Sequence, residues 1–268
     1  MKELTSIPIA QGRTAEVYDW DSDHVLKLYL EWCPPDWVEY EARIARAVYE
    51  AGVPSPAAGE IMEVNGRRGL IYERLEGISM LQDLNVRPWT FLKYSYALAG
   101  LHVKINQLSI EGLPSYEDGL GYNIRHAPHL GDDLRVKALT LLKSLPDGGN
   151  VCHGDYHPGN VIITKRGLVA IDWMTAKAGS RWADVSRTSL LLSIGARSAG
   201  RQINTIVRMV VGLFHRAYLD RYMALSPDSR EELNRWMPVT AAARLNEEIT
   251  PEREALIGMV HAGLREQG

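Results

Sequence analysis

The segment VCHGDYHPGNVIITKRGLVAIDW, from Val151 to Trp173, joins a polar loop to a pattern typical of β-structure. Gly154 and the Pro158-Gly159 pair disfavour a regular helix or strand in the first half. In the second half, β-branched and apolar residues flank Lys165-Arg166-Gly167, which predicts a hairpin with a three-residue turn. We therefore expect a rigid polar loop followed at once by a short β-ribbon.

The register of this hairpin decides which polar residues can act together. With a three-residue turn, Val161 faces Ile171, and by extension Asn160 faces Asp172. Directly opposed residues have Cβ atoms about 5 Å apart, so that an amide oxygen and a carboxylate can bind the same cation. Two oxygen donors without a soft ligand favour Mg²⁺, and we expect Asn160 and Asp172 to be its ligands.

Asp155 lies on the polar loop that precedes Asn160. A carboxylate on a rigid loop near Mg²⁺ is placed to accept a hydroxyl proton while the metal neutralises a phosphate. Phosphoryl transfer divides its work in this way, with one Asp orienting the alcohol while an Asn and a second Asp hold metal. The sequence therefore predicts that Asp155 is a catalytic base.

Six residues of the segment match a known pattern, HGDxxxxN followed by a hairpin and ID: His153, Gly154, Asp155, Asn160, Ile171 and Asp172. The pattern resembles the catalytic core of the aminoglycoside phosphotransferase family, the small-molecule branch of the protein-kinase-like fold. The resemblance extends to ERLEG at Glu73 to Gly77, LAGLH at Leu98 to His102, and Gly179 with Asp184. It covers most of the chain, and the final third matches only loosely.

The resemblance implies an α+β, bilobal protein-kinase-like fold. A small β-rich lobe with one helix, over residues 1–75, is expected to bind the nucleotide. A larger, mainly helical lobe over residues 76–268 is expected to carry catalysis and bind the acceptor. The expected nucleotide is ATP or GTP, and the expected metal is Mg²⁺. Asp184 is expected to be a buried carboxylate that holds the amides of the catalytic loop.

The family pairs a strand lysine with a helix glutamate to hold the α- and β-phosphates. Lys27 in the strand VLKLY resembles this lysine. Glu41 on the following helix is the expected partner. Glu39 is its rival, on another face of the helix.

Further nucleotide contacts are implied by the same resemblance. QGRTAEVY resembles the turn that covers the phosphates, which assigns Gly12 and Thr14 to the nucleotide, although Gly12 is its only glycine. The hinge-like segment assigns Glu73 and Leu75. His157 stands where related protein kinases carry a lysine directed at the γ-phosphate, and the same catalytic role is expected.

Periodicity predicts the remaining elements. Before Gly77 we expect a hairpin from AEVYDW and HVLKLYL, a helix over WVEYEARIARAVYEAG that stops at Gly52, and a second hairpin around Asn65-Gly66. After Gly77 the segment GLPSYEDGLGYN is predicted to be a loop. Helical spacing or cap signals mark five segments: residues 89–107, 132–145, 181–196, 203–225 and 229–237.

Bulk properties narrow the possible partners. With 268 residues, a formal net charge of -3 and 24% charged residues, the chain does not have the composition of a polybasic nucleic-acid binder. Cys33 and Cys152 are far apart and fit a reducing compartment. The start MKELTSIPIAQGR has no apolar core, and the run Ile206 to Phe214 is interrupted by Arg208. We expect a cytoplasmic protein that binds a small hydroxyl compound, with no nucleic acid or membrane partner; its oligomeric state stays open.

Three other interpretations compete with that of a small-molecule kinase. In an atypical protein kinase, a cation would precede Asp155 and a long regulatory loop would follow Asp172, whereas here Gly154 precedes Asp155 and the sequence between Asp172 and Asp184 is short. A nucleotide-binding protein without catalysis would not need the complete set of polar residues. A zinc site at His153, Asp155 and His157 would need a strand, which Pro158-Gly159 disfavours.

Overall fold

The computed structural model describes residues 7–198, 205–226 and 230–266. The chain forms two compact units, the first from Met1–Ser79 with Val161–Met174, the second from Met80–Asn160 with Thr175–Gly268. The division expected at residue 75 therefore differs in two respects: the first unit continues to Ser79, and it includes the hairpin after Asn160. The reason is a strand at Gly77–Ser79 that pairs with it.

The first unit contains a five-stranded antiparallel sheet and one helix. The strands are β1 (Ala10–Gln11), β2 (Ala15–Asp19), β3 (His24–Tyr29), β4 (Ala58–Val64) and β5 (Arg67–Glu73), in the order β1-β2-β3-β5-β4. Helix α1 spans Asp36–Glu50. Both predicted hairpins and the predicted helix are confirmed. Asn65 and Gly66 close the second hairpin with φ of 53° and 75°, the left-handed values that this dipeptide adopts easily.

Alternation along β3 separates two cores. Leu26 and Leu28 are buried among Tyr18, Val64 and Ile71. Tyr29, on the opposite side of the strand, is buried in a second cluster with residues of α1. Since side chains alternate between the faces of a strand, Lys27 shares the Tyr29 side and is directed toward the helix.

A three-stranded ribbon completes the first unit. It contains β6 (Gly77–Ser79), β8 (Val161–Thr164) and β9 (Gly167–Ala170), in the order β6-β8-β9. The predicted register was wrong by one residue, because Thr164 pairs with Gly167 and Val161 pairs with Ala170. The turn contains only Lys165 and Arg166, and Gly167, with a φ of 117°, already belongs to β9.

This register removes the geometric argument for a metal pair. Extended by one residue, it places Asn160 opposite Ile171 and not opposite Asp172. Asn160 also lies in a 3-10 turn at Pro158–Asn160, before β8 begins. Strand pairing therefore gives no reason for these two residues to share a cation.

The second unit is mainly helical. Its helices are α2 (Met80–Val86), α3 (Phe91–Asn106), α4 (Tyr116–His126), α5 (Asp132–Ser144), α6 (Arg181–Ser198), α7 (Thr205–Leu225), α8 (Arg230–Arg244) and α9 (Arg253–Glu266). Two short strands, β7 (Asn150–Cys152) and β10 (Lys177–Gly179), pair antiparallel. Helix α3 packs on α7, and α8 packs on α4, α6 and α9. No helix in the described ranges has the length and apolarity needed to cross a bilayer.

The five predicted helical segments correspond to α3, α5, α6, α7 and α8. The predicted starts of the last two, at residues 203 and 229, lie outside the described residues. The predicted loop at GLPSYEDGLGYN was wrong, because α4 begins within it at Tyr116. Ser115 caps this helix by accepting a hydrogen bond from Asp118 N at 3.0 Å, which outweighs the two glycines inside the helix.

A buried ion pair holds the end of α8. Arg244 donates from Nε to Glu252 Oε2 at 2.6 Å and from Nη2 to Oε1 at 2.9 Å, and the two side chains are 4% and 0% exposed. Two parallel hydrogen bonds from a guanidinium to a carboxylate satisfy both charges.

We predict that Glu252→Gln lowers the free energy of unfolding by about 3 kcal/mol, because a buried guanidinium loses its buried countercharge and keeps only the partly exposed Glu247. Denaturant unfolding of variant and wild type measures the difference. Asp133→Asn is the control, since its pair with Lys137 is exposed and is expected to contribute less than about 1 kcal/mol. Equal losses in both variants would contradict the prediction.

Candidate active site

Lys27 joins three elements of the first unit. Its Nζ donates to Glu41 Oε1 on α1 and to Asp172 Oδ1 after β9, both at 2.8 Å. The open question between Glu41 and Glu39 is thereby answered. Glu41 is fully buried, whereas Glu39 is half exposed and pairs with Arg68.

Tyr72 is a partner of Glu41 that sequence reasoning missed. Its hydroxyl donates to the same oxygen, Glu41 Oε1, at 2.8 Å. Tyr72 pairs with Val25 while Lys27 pairs with Leu70, so the register places Tyr72 and Lys27 on one face of the sheet. Only the register between β3 and β5, which the sequence does not display, could have revealed the contact between Tyr72 and Glu41.

The neighbours of Lys27 and Tyr72 keep both groups protonated. Burial lowers the pKa of Lys27, but Glu41 and Asp172 raise it more, so its net pKa lies above the ordinary value. Burial and Glu41 together raise the pKa of Tyr72 well above the usual value, so its hydroxyl remains a donor. Lys27 is therefore a cation at any physiological pH.

Asp172 has an unusual backbone. Its φ is 65°, in the left-handed region that non-glycine residues seldom occupy. The following Trp173 is buried and donates its indole N–H to Ala170 O at 3.0 Å, which fixes the turn after β9. Strained residues of this kind cluster at functional sites.

Asp155, His157 and Asn160 lie together in the second unit. Asn160 Nδ2 donates to Asp155 O at 2.9 Å and to Asp155 Oδ2 at 3.2 Å. Gly159 N donates to His157 Nδ1 at 3.0 Å, which leaves the proton of a neutral imidazole on Nε2, 3.6 Å from Asp155 Oδ2. The loop therefore gives Asp155 Oδ2 one hydrogen bond, from Asn160, and places His157 Nε2 near the same oxygen.

The charge of Asp155 follows from its neighbours. Burial raises its pKa, but the neighbouring His157 and then Arg187 lower it more. The net pKa lies below the usual range, so the carboxylate is ionised at neutral pH and able to accept a proton.

A model of the phosphotransferase enzyme family, APH, matches residues 5–222 of the sequence. The match covers most of the chain, including both polar clusters. The chain belongs to this family. The resemblance inferred from HGDYHPGN and IDW is thus confirmed, and so is the protein-kinase-like fold.

Solved structures of similar fold agree with this family. A thermostable mutant of aminoglycoside phosphotransferase APH(4)-Ia aligns with a TM-score of 0.65 and 17% identity over 98% of this chain and 94% of that one. Aminoglycoside-3'-phosphotransferase of type VIII aligns at 0.62 and 19%, over 92% and 93%. A choline/ethanolamine kinase family protein from Mesorhizobium loti aligns at 0.60 and 14%, over 98% and 87%. A comparison with curated proteins gave no significant match.

The loop that carries Asp155 is held by Asp184, as expected. The buried carboxylate accepts from His153 N and Gly154 N at 2.8 Å and from His102 Nε2 at 2.9 Å. Gly154 has a φ of 78°, and a Cβ there would lie 2.7 Å from Thr175 O. Only glycine therefore fits at the position that precedes Asp155.

A second layer of hydrogen bonds from α7 supports Asp184. Tyr218 shares a 2.6 Å hydrogen bond with His102 Nδ1, and Tyr222 donates to Asn106 Oδ1 at 2.8 Å. Asn106 in turn donates to Asp184 Oδ2 at 3.2 Å. No local sequence pattern predicts this layer, because its members come from segments far apart in the chain.

The donor chemistry of Asn160 and Asp172 fits Mg²⁺. Since Asn160 directs its amide nitrogen at Asp155, its Oδ1 has no partner among the described residues. Asp172 uses Oδ1 for Lys27, and its Oδ2 has no partner in the same ranges. Both free atoms are hard oxygen donors, which Mg²⁺ prefers. No group of three or more His, Cys, Asp or Glu suited to a metal occurs within the described ranges.

The other predicted nucleotide contacts lie in the first unit. Gly12 N donates to Ala15 O at 2.8 Å and closes the turn between β1 and β2, beside Thr14. Glu73 is occupied by Arg166, which donates to it at 2.6 and 3.1 Å. Glu73 and Leu75 line a shallow pocket of about 160 Å³. A nucleotide-binding role for these four residues stays a prediction.

We predict that Asp184→Asn lowers the free energy of unfolding by about 3 kcal/mol at pH 7, since two loop amides and His102 lose their acceptor charge. Burial raises the pKa of Asp184, but His102 and the Gly154 amide lower it more, so the folded value lies below the unfolded value of about 3.9. The stabilisation is therefore complete above pH of about 4 and disappears as pH falls through the folded pKa.

Denaturant unfolding at a series of pH values between 7 and 3 tests this dependence. The gap between wild type and Asp184→Asn should be constant near neutral pH and should narrow in acid. Asp220→Asn, which alters an exposed pair with Arg230, is the control and should show little gap. A gap that is absent at pH 7, or unchanged in acid, would refute the assignment.

Proposed function

We propose that this chain is an ATP- or GTP-dependent O-phosphotransferase that transfers the γ-phosphate to a hydroxyl of a small molecule. The observation that carries the proposal is the Lys27 cluster, in which one nearly buried cation contacts Glu41 and Asp172 at 2.8 Å. A second support is Asp155, an ionised carboxylate on a loop held by Asp184. Family membership supplies the reaction class.

Each residue has a defined task in this reaction. Lys27 neutralises the α- and β-phosphates, and Glu41 keeps its ammonium group in place. Asp155 accepts the proton of the acceptor hydroxyl as the oxygen attacks the γ-phosphorus. The bond from the γ-phosphorus to the bridging oxygen breaks, and the nucleoside diphosphate leaves. His157, whose Nε2 lies 3.6 Å from Asp155 Oδ2, takes the place of the lysine that related protein kinases direct at the γ-phosphate.

Asn160 and Asp172 are the residues that would hold Mg²⁺. Bound there, the metal would neutralise charge on the phosphate oxygens. The assignment is supported by the free Oδ1 of Asn160 and the free Oδ2 of Asp172 within the described part of the chain, and by their match to the family pattern. Strand register no longer contributes to it.

Complexes of structural neighbours favour a nucleotide and a small acceptor. One structure of APH(4)-Ia is a ternary complex with AMP-PNP and hygromycin B. The amicoumacin kinase hAmiN was solved with AMP-PNP, Ca²⁺ and Ami. Since a choline/ethanolamine kinase family protein aligns as well, the neighbours support the class of acceptor and leave its identity open.

The segment after Asp172 also favours a small acceptor over a protein. It is filled by a 3-10 turn at Trp173–Thr175, by β10 at Lys177–Gly179, and by α6 from Arg181 onward. A long loop that could be ordered by phosphorylation, as in regulated protein kinases, has no place in it.

Nucleotide binding should depend on the Lys27 cluster. We predict that Lys27→Ala weakens binding of Mg-ATP by at least about tenfold, because a charge-assisted hydrogen bond to phosphate is lost. Asp172→Ala should reduce binding in the presence of Mg²⁺ and have less effect without it. Isothermal titration measures both affinities. Lys137→Ala removes an exposed lysine of α5 and should bind as wild type; unchanged binding by Lys27→Ala would remove this residue from the site.

Turnover should depend on Asp155. We predict that Asp155→Asn leaves Mg-ATP affinity within about twofold and lowers turnover by about 100-fold or more, because proton acceptance is lost. The assay is phosphate transfer from ATP or GTP to a panel of hydroxyl metabolites and antibiotics, which also identifies the acceptor. Asp133→Asn, an exposed substitution, is the control. Full turnover by Asp155→Asn would exclude it as the base.

A further inference from the structure

Arg187 of α6 lies against the loop that carries Asp155. Its Nε donates to Gly154 O at 3.2 Å, and its Nη2 is 4.0 Å from Asp155 Oδ1. The side chain is 14% exposed. Arg187 is therefore a nearly buried cation beside the proposed base, and the sequence analysis did not identify it.

The two oxygens of Asp155 are unequal. Oδ2 faces Asn160 Nδ2 at 3.2 Å and His157 Nε2 at 3.6 Å. Oδ1 has no hydrogen-bond partner among the described residues, since Arg187 stands too far away to donate. An oxygen that must take a proton from an alcohol has to be free of a stronger donor, and Oδ1 meets this condition.

Glu247 keeps Arg187 at this distance. Glu247 Oε1 binds the same Nη2 at 2.6 Å, and Glu247 Oε2 accepts from Arg244 Nη1 at 3.1 Å. Arg244 is itself fixed by the buried Glu252. Nη2 of Arg187 thus lies between the carboxylates of Asp155 and Glu247, and it contacts Glu247, which Arg244 holds in place. The family match ends at residue 222, so Glu247, Arg244 and Glu252 belong to a part of the chain that it does not cover.

We propose that Arg187 and Glu247 are positioning residues for Asp155, and that Glu247 restrains Arg187 from binding Asp155 Oδ1. Without the restraint, the guanidinium is free to form a direct ion pair with Asp155, and a bidentate pair of this kind occupies both carboxylate oxygens. The base is then blocked by its own neighbour. This inference rests on the proposed role of Asp155 as the base.

The restraint makes a specific prediction about a double variant. Glu247→Ala alone should lower turnover by about 100-fold, since the reacting oxygen is displaced or covered. Arg187→Met alone should lower turnover less, because the loop loses one hydrogen bond and Asp155 stays open. The double variant should behave like Arg187→Met alone, since Glu247 has nothing left to restrain. A purely structural role would instead make the two losses add.

The assay uses the full chain with Mg-ATP and water as the acceptor, measured as release of inorganic phosphate. Isothermal titration with Mg-ATP runs in parallel, and affinity should be unchanged in every variant, which separates positioning from misfolding. Glu247→Gln, which keeps an oxygen for Arg187, should retain more turnover than Glu247→Ala. Glu232→Ala is the matched control, since it breaks a similar pair with Arg235 on α8 at 3.1 Å.

The outcomes separate this inference from the proposed function. If Asp155→Asn releases phosphate as fast as wild type, Asp155 is not the base, and both the proposed function and this inference fail. If Asp155→Asn is slow but Glu247→Ala is as fast as wild type, only the inference fails. The inference also fails if Glu247→Ala lowers turnover by the same factor in the Arg187→Met background as in the wild type.

Discussion

The ammonium group of Lys27 links three parts of the first unit through its hydrogen bonds. Lys27 is nearly buried, and an isolated charge in that position would be strongly destabilising. It is stable there because carboxylates from α1 and from the turn after β9 share it at equal distances of 2.8 Å. The sheet, the helix and the ribbon are thus linked through one cation, and Tyr72 fixes the oxygen of Glu41 that the cation contacts.

The second unit is organised around a buried charge of opposite sign. Asp184 is fully buried, and its neighbours are two backbone amides, a histidine and an asparagine. The hydrogen-bond donors come from the loop after β7 and from α3, and residues of α7 contact the α3 donors in turn. A carboxylate satisfied in this manner orients backbone rather than substrate, and here it holds the loop that carries Asp155.

Residue identity was easier to predict from the sequence than register. The polar set of the loop, Lys27 on its strand and the holding role of Asp184 followed from residue types, spacing and family resemblance. The hairpin was misplaced by one residue, because Gly167 fits a three-residue turn and the first position of a strand equally well. Helix α4 was not predicted, because two glycines within it indicate a loop and the Ser115 cap is a weaker signal in the sequence. Tyr72, Arg187 and Glu247 act through contacts between distant segments, which no local pattern contains.

The conformation of Gly154 limits how such an enzyme can be controlled. Protein kinases of the related fold place an arginine at this position, where it reads a phosphate on a regulatory loop. Here a side chain of any size would meet Thr175 O at 2.7 Å, with the backbone at a φ of 78°. In this chain, position 154 therefore has no room for a side chain that could bind a phosphate on a neighbouring loop.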